Sequence, residues 1–219
     1  SCFFILLRFH IVINVFPKKI INTLLLLLCA TIITNCSTKH ATSINSNKNE
    51  FSTVLDIPMP LDDFNLTADD GTSFNLETLK GQWNLLFFGY THCPDVCPLT
   101  LHQLGQAKKA LNESMQDSLN IIMISVDPDR DSKEILHQYV NSFNQKVTGA
   151  TGPISEIDKL TSQLGIFHTA NKEEGQNYSV SHSAAVVMIN RNAEFHAVFS
   201  APHSTENFIT DLPKIMAKN

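Results

Sequence analysis

Length, composition and charge limit what this chain can be. Its 219 residues are 43% hydrophobic and 17% charged, which is enough apolar content for one sizeable core and unlike an intrinsically disordered chain. All 21 acidic residues lie after position 36, whereas Arg8, Lys18 and Lys19 precede it, so the rest of the chain is more acidic than the whole-chain net charge of −5. This acidic body argues against a nucleic-acid-binding surface and favours basic or metallic partners.

The first 36 residues predict an export segment. Lys18 and Lys19 precede an uncharged apolar run, residues 20–33, which is too short for an ordinary membrane span and suits the apolar region of a signal peptide. The sequence that ends at Cys36 resembles a bacterial lipobox, whose cysteine is lipidated and becomes the mature N-terminus, with Asn35 where the pattern prefers a smaller residue. An uncleaved membrane anchor is the alternative.

The remaining chain divides into a tether and one domain. Residues 37–50 are polar, as expected of a tether between a membrane anchor and a folded body, and the domain is predicted over residues 51–219. Three of the five cysteines fall in the predicted export segment: Cys2, Cys29 and Cys36. The domain therefore keeps only Cys93 and Cys97, which cannot form a multi-bridge disulfide scaffold.

The first half of the domain predicts a hairpin and then alternating strands and helices. Residues 55–75 hold short apolar segments around a hairpin turn at Asp69-Asp70-Gly71. The continuous apolar run Trp83–Gly89 predicts a strand buried on both faces, and residues 120–126 predict a second. Between them a helix is predicted, with Pro98 at its first position. Its apolar face repeats at helical spacing: Leu101, Leu104, Ala107 and Leu111.

The second half predicts a mixed sheet with helices on both faces. A loop at residues 127–131 leads into an amphipathic helix, and a further helix starts at Thr151-Gly-Pro153 and ends at Gly165. Two strands, residues 184–189 and 194–199, form a hairpin. A last amphipathic segment begins at Thr205, and Pro213 is expected to kink it or end it early. This order of elements predicts an α/β fold.

Two cysteines, each followed by proline, stand four positions apart in FFGYTHCPDVCPLT, Phe87–Thr100. If the turn after the strand is helical, Cys93 and Cys97 lie one turn apart and their sulfurs project from the same side. A helix N-terminus is expected to lower the pKa of both thiols. Two adjacent thiolates suit Cu(I), and they can also be oxidised reversibly to a disulfide. A bare CxxxC pair is more often structural, so the rest of the sequence must decide.

Three segments together, FFGYTHCPDVCPLTL, ISVDPDRD and YSVSHS, resemble the Sco/SenC family. The resemblance covers about residues 55–214 and implies a thioredoxin-like, membrane-tethered copper chaperone for the dinuclear copper centre of cytochrome c oxidase. It implies that Cys93, Cys97 and His182 bind copper, as Cu(I) or Cu(II). The implied partners are the copper-bearing oxidase subunit and another copper chaperone or a thioredoxin-like reductant. Ser181 departs from the family, which usually has Asp before this histidine.

Position also favours His182 as a third ligand. It lies between two predicted strands, at the edge where a thioredoxin-like protein carries a cis-proline facing its cysteine turn, and a nitrogen there completes an S₂N site. His92 is expected to tune the neighbouring thiolate, because adjacent side chains diverge. Asp95 is equally consistent with fixing the turn through hydrogen bonds and with an electrostatic role at the metal. The loop at residues 127–131 is expected to be a capped helix start with a local ion pair.

The leading functional prediction is copper delivery by ligand exchange to a membrane oxidase subunit, from a domain exported to the periplasm. The alternative is a thiol–disulfide reductase that keeps the oxidase copper-site cysteines reduced through Cys93 and Cys97. Such a reductase would not need His182, and its cysteines usually have two intervening residues. A thioredoxin-fold peroxidase ranks last, because Tyr90 stands where a threonine is expected three positions before Cys93. These alternatives leave open whether the chain is an enzyme.

Overall fold

The structure, a computed structural model, describes residues 49–173 and 178–217. The predicted export segment with Cys36, and the predicted tether as far as residue 48, lie outside the described residues. Residues 174–177, part of the predicted polar loop after Ala170, lie outside them as well. Within the described ranges, the structure contains no helix that combines the length and apolar character needed to cross a membrane.

The described residues alternate strands with helices along the chain. The strands are β1 Ser52–Pro60, β2 Asn65–Ala68, β3 Ser73–Asn75, β4 Trp83–Gly89, β5 Leu119–Ser125, β6 Thr148–Thr151, β7 His168–Ala170, β8 Val180–His182, β9 Val186–Ile189 and β10 Glu194–Phe199. The helices are α1 Val96–Ala110, α2 Glu113–Asp117, α3 Lys133–Asn141, α4 Ile154–Gln163 and α5 Thr205–Met216. A short 3-10 turn, Leu76–Leu79, precedes β4.

An eight-stranded mixed sheet forms the centre of the fold. Its order is β1-β10-β9-β4-β5-β6-β2-β3, with β4, β5 and β6 parallel and the other neighbours antiparallel. All seven residues of β4 are buried, as a strand in the middle of a sheet that is covered on both faces requires. Helices lie on both faces, so the predicted thioredoxin-like α/β fold is confirmed.

Several local predictions are confirmed. Strand β4 has the predicted bounds, and the predicted hairpin turn joins β2 to β3, with the Ala68 N–H donating to the Thr72 carbonyl at 2.9 Å. Strands β9 and β10 pair as the predicted second hairpin. The predicted apolar face of α1 is buried against the core: Leu101, Leu104, Ala107 and Leu111. Short-range periodicity was sufficient in each of these cases.

Other details differ from the predictions. Residues 55–60, the start of the region predicted to hold the hairpin, belong instead to β1, which pairs with β10, far along the chain. Pro98 is the third residue of α1, where a missing N–H is still tolerated because the first-turn amides have no intrahelical acceptor. Thr151 belongs to β6, a short strand without an apolar pattern. Helix α5 continues through Pro213, because its buried face, which includes Phe208, packs along the whole helix.

Candidate metal centre

The cysteine turn connects the central strand β4 to helix α1. Cys93 lies in the turn and is half-buried, whereas Cys97 is the second residue of α1 and is fully buried. The Cys97 N–H points at the Cys93 sulfur, with 3.4 Å between N and Sγ. The helix start therefore places both sulfurs on the same side, as the four-residue spacing predicts.

Gly89, the last residue of β4, makes room for the buried sulfur. A Cβ atom at this position would lie 2.8 Å from Cys97 Sγ and 2.9 Å from Phe87 Cε1. Both distances are shorter than a van der Waals contact. Glycine is therefore required here by the close approach of the Cys97 side chain to the strand.

His182 reaches the cysteines from a separate two-stranded sheet. It is the last residue of β8, which pairs antiparallel with β7, so His182 lies opposite His168. Its Nε2 atom is 3.5 Å from Cys97 Sγ. The aromatic rings of Phe87 and Tyr90 stand edge-on to the imidazole, with centroids 6.0 and 5.9 Å away, and pack against it from the strand and the cysteine turn.

The imidazole is oriented by the backbone. His182 Nδ1 is 3.1 Å from the Ser183 carbonyl oxygen, which can only accept a hydrogen bond, so in the neutral ring Nδ1 carries the proton and Nε2 keeps a lone pair for a metal ion. The exposed Ser181 is adjacent to His182 in β8, and its side chain therefore points to the opposite face. The main-chain carbonyl of Ser183, and not the side chain at position 181, therefore orients the imidazole.

The structure brings the three predicted ligands together. The Sγ atoms of Cys93 and Cys97 and a ring nitrogen of His182 all lie within 4.8 Å of one another. Donors bound to one ion at about 2.0–2.3 Å are at most about 4.6 Å apart, so a small movement would close the site around a metal. Two thiolates and an imidazole are soft and borderline donors, which fit copper.

The two thiols differ in acidity. A hydrogen bond from the Cys97 side chain is the main cause that lowers the pKa of Cys93 to about 4, with further hydrogen bonds from the backbone of Cys97 and Asp95. The same bond, together with burial, raises the pKa of Cys97 above its ordinary value. The prediction that both pKa values are lowered is therefore wrong. Two thiolates this close would repel each other, so the pair keeps one proton, which Cys97 donates to Cys93.

Neighbouring candidates lie around this cluster. His92 is 55% exposed, its Nδ1 is 3.2 Å from Thr91 Oγ1 and 3.9 Å from Asp131 Oδ1, and it is not one of the donors that cluster with the sulfurs among the described residues. Asp95 is the N-cap residue of α1, but its side chain makes no capping hydrogen bond. Its carbonyl accepts from the Leu99 N–H at 3.2 Å. The backbone of Asp95 fixes the turn, and its carboxylate does not.

The loop at residues 127–131 contains the functional neighbours that sequence analysis missed. The predicted local ion pair is present, with Arg130 Nε 2.5 Å from Asp127 Oδ2. The loop also contacts both sides of the site: Asp131 accepts hydrogen bonds from Thr91, and Arg130 donates to the Tyr178 carbonyl. The position of the loop at the carboxyl end of β5 was the available clue.

Comparison with known proteins places the chain in a family. The family model described as SCO1/SenC matches residues 60–217. Protein SCO1 homolog 1, mitochondrial, of Arabidopsis thaliana is 33% identical over 148 residues, which are 68% of this chain and 44% of that protein. A putative copper-binding protein of Stutzerimonas stutzeri is 33% identical over 152 residues, 69% of this chain and 74% of that protein.

A solved structure agrees with these sequence matches. The crystal structure of Arabidopsis thaliana ScoI with copper bound superposes with a TM-score of 0.68 at 30% identity, covering 72% of this chain and 98% of that chain. The chain spans less than half the length of the Arabidopsis sequence relative and about three quarters of the bacterial one. The match of the family model over most of the domain, together with the clustered cysteines and histidine, shows that this chain belongs to the SCO1/SenC family.

Proposed function

We propose that this protein is a copper metallochaperone that carries copper between Cys93, Cys97 and His182 and delivers it to the dinuclear copper site of cytochrome c oxidase. The observation that carries the proposal is the S₂N cluster, in a chain whose solved relative has copper bound. The cluster joins residues 85 positions apart in sequence, Cys97 and His182, at a short distance. A structural cysteine pair would not require that histidine.

The exposure of the ligands supports transfer rather than storage. Cys97 is fully buried, whereas Cys93 and His182 are only half-buried. A thiolate of the recipient can therefore approach the copper from the Cys93 side and replace the ligands one after another. Loading requires Cys97 to lose its proton, because the thiolate is the metal ligand, so copper binding releases a proton and its affinity falls as the pH decreases.

The test is copper binding by the purified, reduced protein under anaerobic conditions. We expect one copper per chain, and we expect tight Cu(I) binding to be lost in Cys97→Ser. The matched control is His137→Ala, because His137 pairs with Asp69 on the surface rather than with the cysteines. Tight stoichiometric copper retained by Cys97→Ser would show that the ligands are elsewhere. Transfer to the copper-binding domain of an oxidase subunit then tests delivery.

A thiol–disulfide reductase is the second candidate, and the acidity of Cys93 favours it. A half-exposed thiolate beside a buried thiol is the arrangement of an attacking and a resolving cysteine. His182→Ala separates the two functions. A chaperone should lose Cu(II) binding and keep weaker Cu(I) binding through the two sulfurs, whereas a reductase should keep its rate of disulfide reduction. Oxidase assembly that is unchanged in His182→Ala would favour the reductase.

The proposed location is the periplasmic side of the bacterial envelope, with the domain tethered through a lipidated Cys36. The support is the short apolar run before Cys36 and the polar residues 37–50 after it. Mass spectrometry of the protein from a bacterial membrane fraction should give a mature chain that begins at an acylated Cys36. An intact N-terminus with an unmodified Cys36 would instead support the uncleaved anchor.

A further inference from the structure

We propose that the loop between β5 and α3, residues 127–131, is a positioning device that holds the His182 imidazole against the two cysteine sulfurs. This inference rests on the proposed copper function and adds to it the residues that preset the site. They are Asp127, Arg130 and Asp131 on the loop, with Thr91 and Tyr178 as the residues that they hold.

The first attachment is to the cysteine turn. Asp131 is fully buried, and its Oδ2 accepts hydrogen bonds from the Thr91 N–H at 2.9 Å and the Ser125 hydroxyl at 2.6 Å. Its Oδ1 accepts from the Thr91 hydroxyl at 2.6 Å. Thr91 stands two residues before Cys93. Charge-assisted hydrogen bonds of this length are stronger than neutral ones, so Asp131 fixes the cysteine turn to the end of β5.

The second attachment is to the segment that carries the histidine. Arg130 Nη1 donates to the Tyr178 carbonyl at 2.8 Å, and its guanidinium carbon lies 3.6 Å from the centre of the Tyr178 ring. The Tyr178 hydroxyl donates to Asp127 Oδ1 at 2.5 Å. Both the backbone and the side chain of Tyr178 are thereby held, two residues before β8 begins.

The two attachments are joined within one tight turn. The Arg130 and Asp131 N–H groups both donate to the Asp127 carbonyl, at 3.2 and 2.9 Å. The Arg130 guanidinium also lies 5.6 Å from the centre of the Tyr90 ring, which stands edge-on to the His182 imidazole. A displacement of Tyr178 relative to Thr91 would therefore require this hydrogen-bonded turn to deform.

The histidine segment needs such support. Strands β7 and β8 have three residues each and form a sheet separate from the central one, and a two-stranded sheet of this size is not stable by itself. A buried ion pair such as Arg130–Asp127 stabilises a fold no better than apolar residues of similar volume would, but it fixes geometry. A ligand that is already in place loses little conformational freedom when the metal binds.

The two oxidation states should respond differently when this support is removed. Two thiolates suffice for Cu(I), whereas Cu(II) needs the imidazole nitrogen. Substitution of residues that orient a metal ligand typically lowers affinity by about 10- to 100-fold. We therefore expect Arg130→Met to lower Cu(II) affinity by about tenfold or more, with a changed visible and electron paramagnetic resonance spectrum, and to lower Cu(I) affinity much less.

A second variant and a matched control accompany Arg130→Met. Because that change leaves the buried Asp127 carboxylate without its cation, the double variant Asp127→Asn/Arg130→Met removes both charges and should give the same copper phenotype. The control is Lys172→Ala. Lys172 Nζ is 2.5 Å from Asp129 Oδ2 and joins the same loop to the chain just after β7, but both side chains are more than 60% exposed. Its loss should change copper affinity less than about twofold.

The metal-free protein gives an independent readout. Amide hydrogen exchange in β7 and β8 should be faster in Arg130→Met and in the double variant than in the parent, and unchanged in Lys172→Ala. Folded Arg130 variants with the exchange and Cu(II) affinity of the parent would overturn the inference. A second result would also overturn it. If Arg130→Met, introduced into the His182→Ala variant, weakened Cu(I) binding as strongly as it weakens Cu(II) binding in the parent background, Arg130 would act on the whole fold and not through His182.

Failure of the proposed function gives a different result. If the parent binds no copper, or binds it equally well without the imidazole of His182, the copper proposal is wrong. Faster amide exchange in Arg130→Met would still show that the loop positions the histidine segment in that case. Unchanged exchange together with normal, His182-dependent copper binding would reject the positioning role alone.

Discussion

Gly89→Ala tests whether the close contact between β4 and Cys97 sets the copper site. The new methyl group would lie 2.8 Å from Cys97 Sγ and 2.9 Å from Phe87 Cε1, with Met123 Cε at 3.4 Å. Ordinary contacts of this kind are roughly 3.5–4.0 Å. The sulfur, the ring or the strand must therefore move by several tenths of an ångström or more.

The cost follows from the packing of the surrounding core. Cys97 and Phe87 are both fully buried, so neither side chain can move outward freely. Adding a methyl group to a well-packed core typically costs about 1–3 kcal/mol. If this strain falls on the sulfur position that copper requires, each 1.4 kcal/mol lowers the affinity about tenfold, which gives a loss of roughly 5- to 150-fold.

The assay combines Cu(I) competition titration with urea unfolding of the metal-free protein. The control is Gly149→Ala in β6, two strands from β4, where the new Cβ would lie 2.6 Å from Leu136 Cγ and not against either cysteine. Both variants should lose stability by about 1–3 kcal/mol, and only Gly89→Ala should lose copper affinity. A Gly89→Ala protein that is destabilised like the control but binds Cu(I) like the parent would refute this reasoning.

Three further predictions follow from the geometry. The ultraviolet thiolate absorbance of the reduced protein should show Cys93 titrating near pH 4 and Cys97 only at strongly alkaline pH, and two similar titrations would contradict the shared proton. Ser181→Asp should change Cu(II) affinity by less than about threefold, because the Ser183 carbonyl already holds His182 Nδ1. A larger gain in affinity would mean that the imidazole lacks a carboxylate to orient it in the parent. Asp211→Asn should lower the free energy of unfolding by about 1–3 kcal/mol, because the buried carboxylate accepts hydrogen bonds from Glu50, Phe51 and Ser52. Burial by itself raises the pKa of Asp211, but these hydrogen bonds outweigh it and lower the pKa. Since the pKa of Asp211 is depressed in the folded state, this stabilisation is present above the ordinary aspartate pKa of 3.8 and is lost as the pH falls through the folded-state pKa. The difference in unfolding free energy between parent and variant should therefore shrink in urea titrations at acid pH.

The sequence by itself determined the elements that depend on neighbours in the chain. The apolar run Trp83–Gly89 predicted a strand buried on both faces, and the spacing of apolar residues after Cys97 predicted a helix with one buried face; both are present. The CxxxC spacing placed both sulfurs on one side of a helix start. The resemblance to Sco/SenC proteins then identified His182, which periodicity could not have distinguished from the other histidines.

Only the tertiary structure decided what depends on contacts between distant segments. It paired β1 with β10, brought Nε2 of His182 to Cys97, and gave the Ser183 carbonyl the orienting role that the sequence left unassigned. It also divided the acidity of the two thiols, because that division depends on burial and on which sulfur donates. Burial and hydrogen bonding between remote residues are properties of the packed chain, and local sequence patterns carry no record of them.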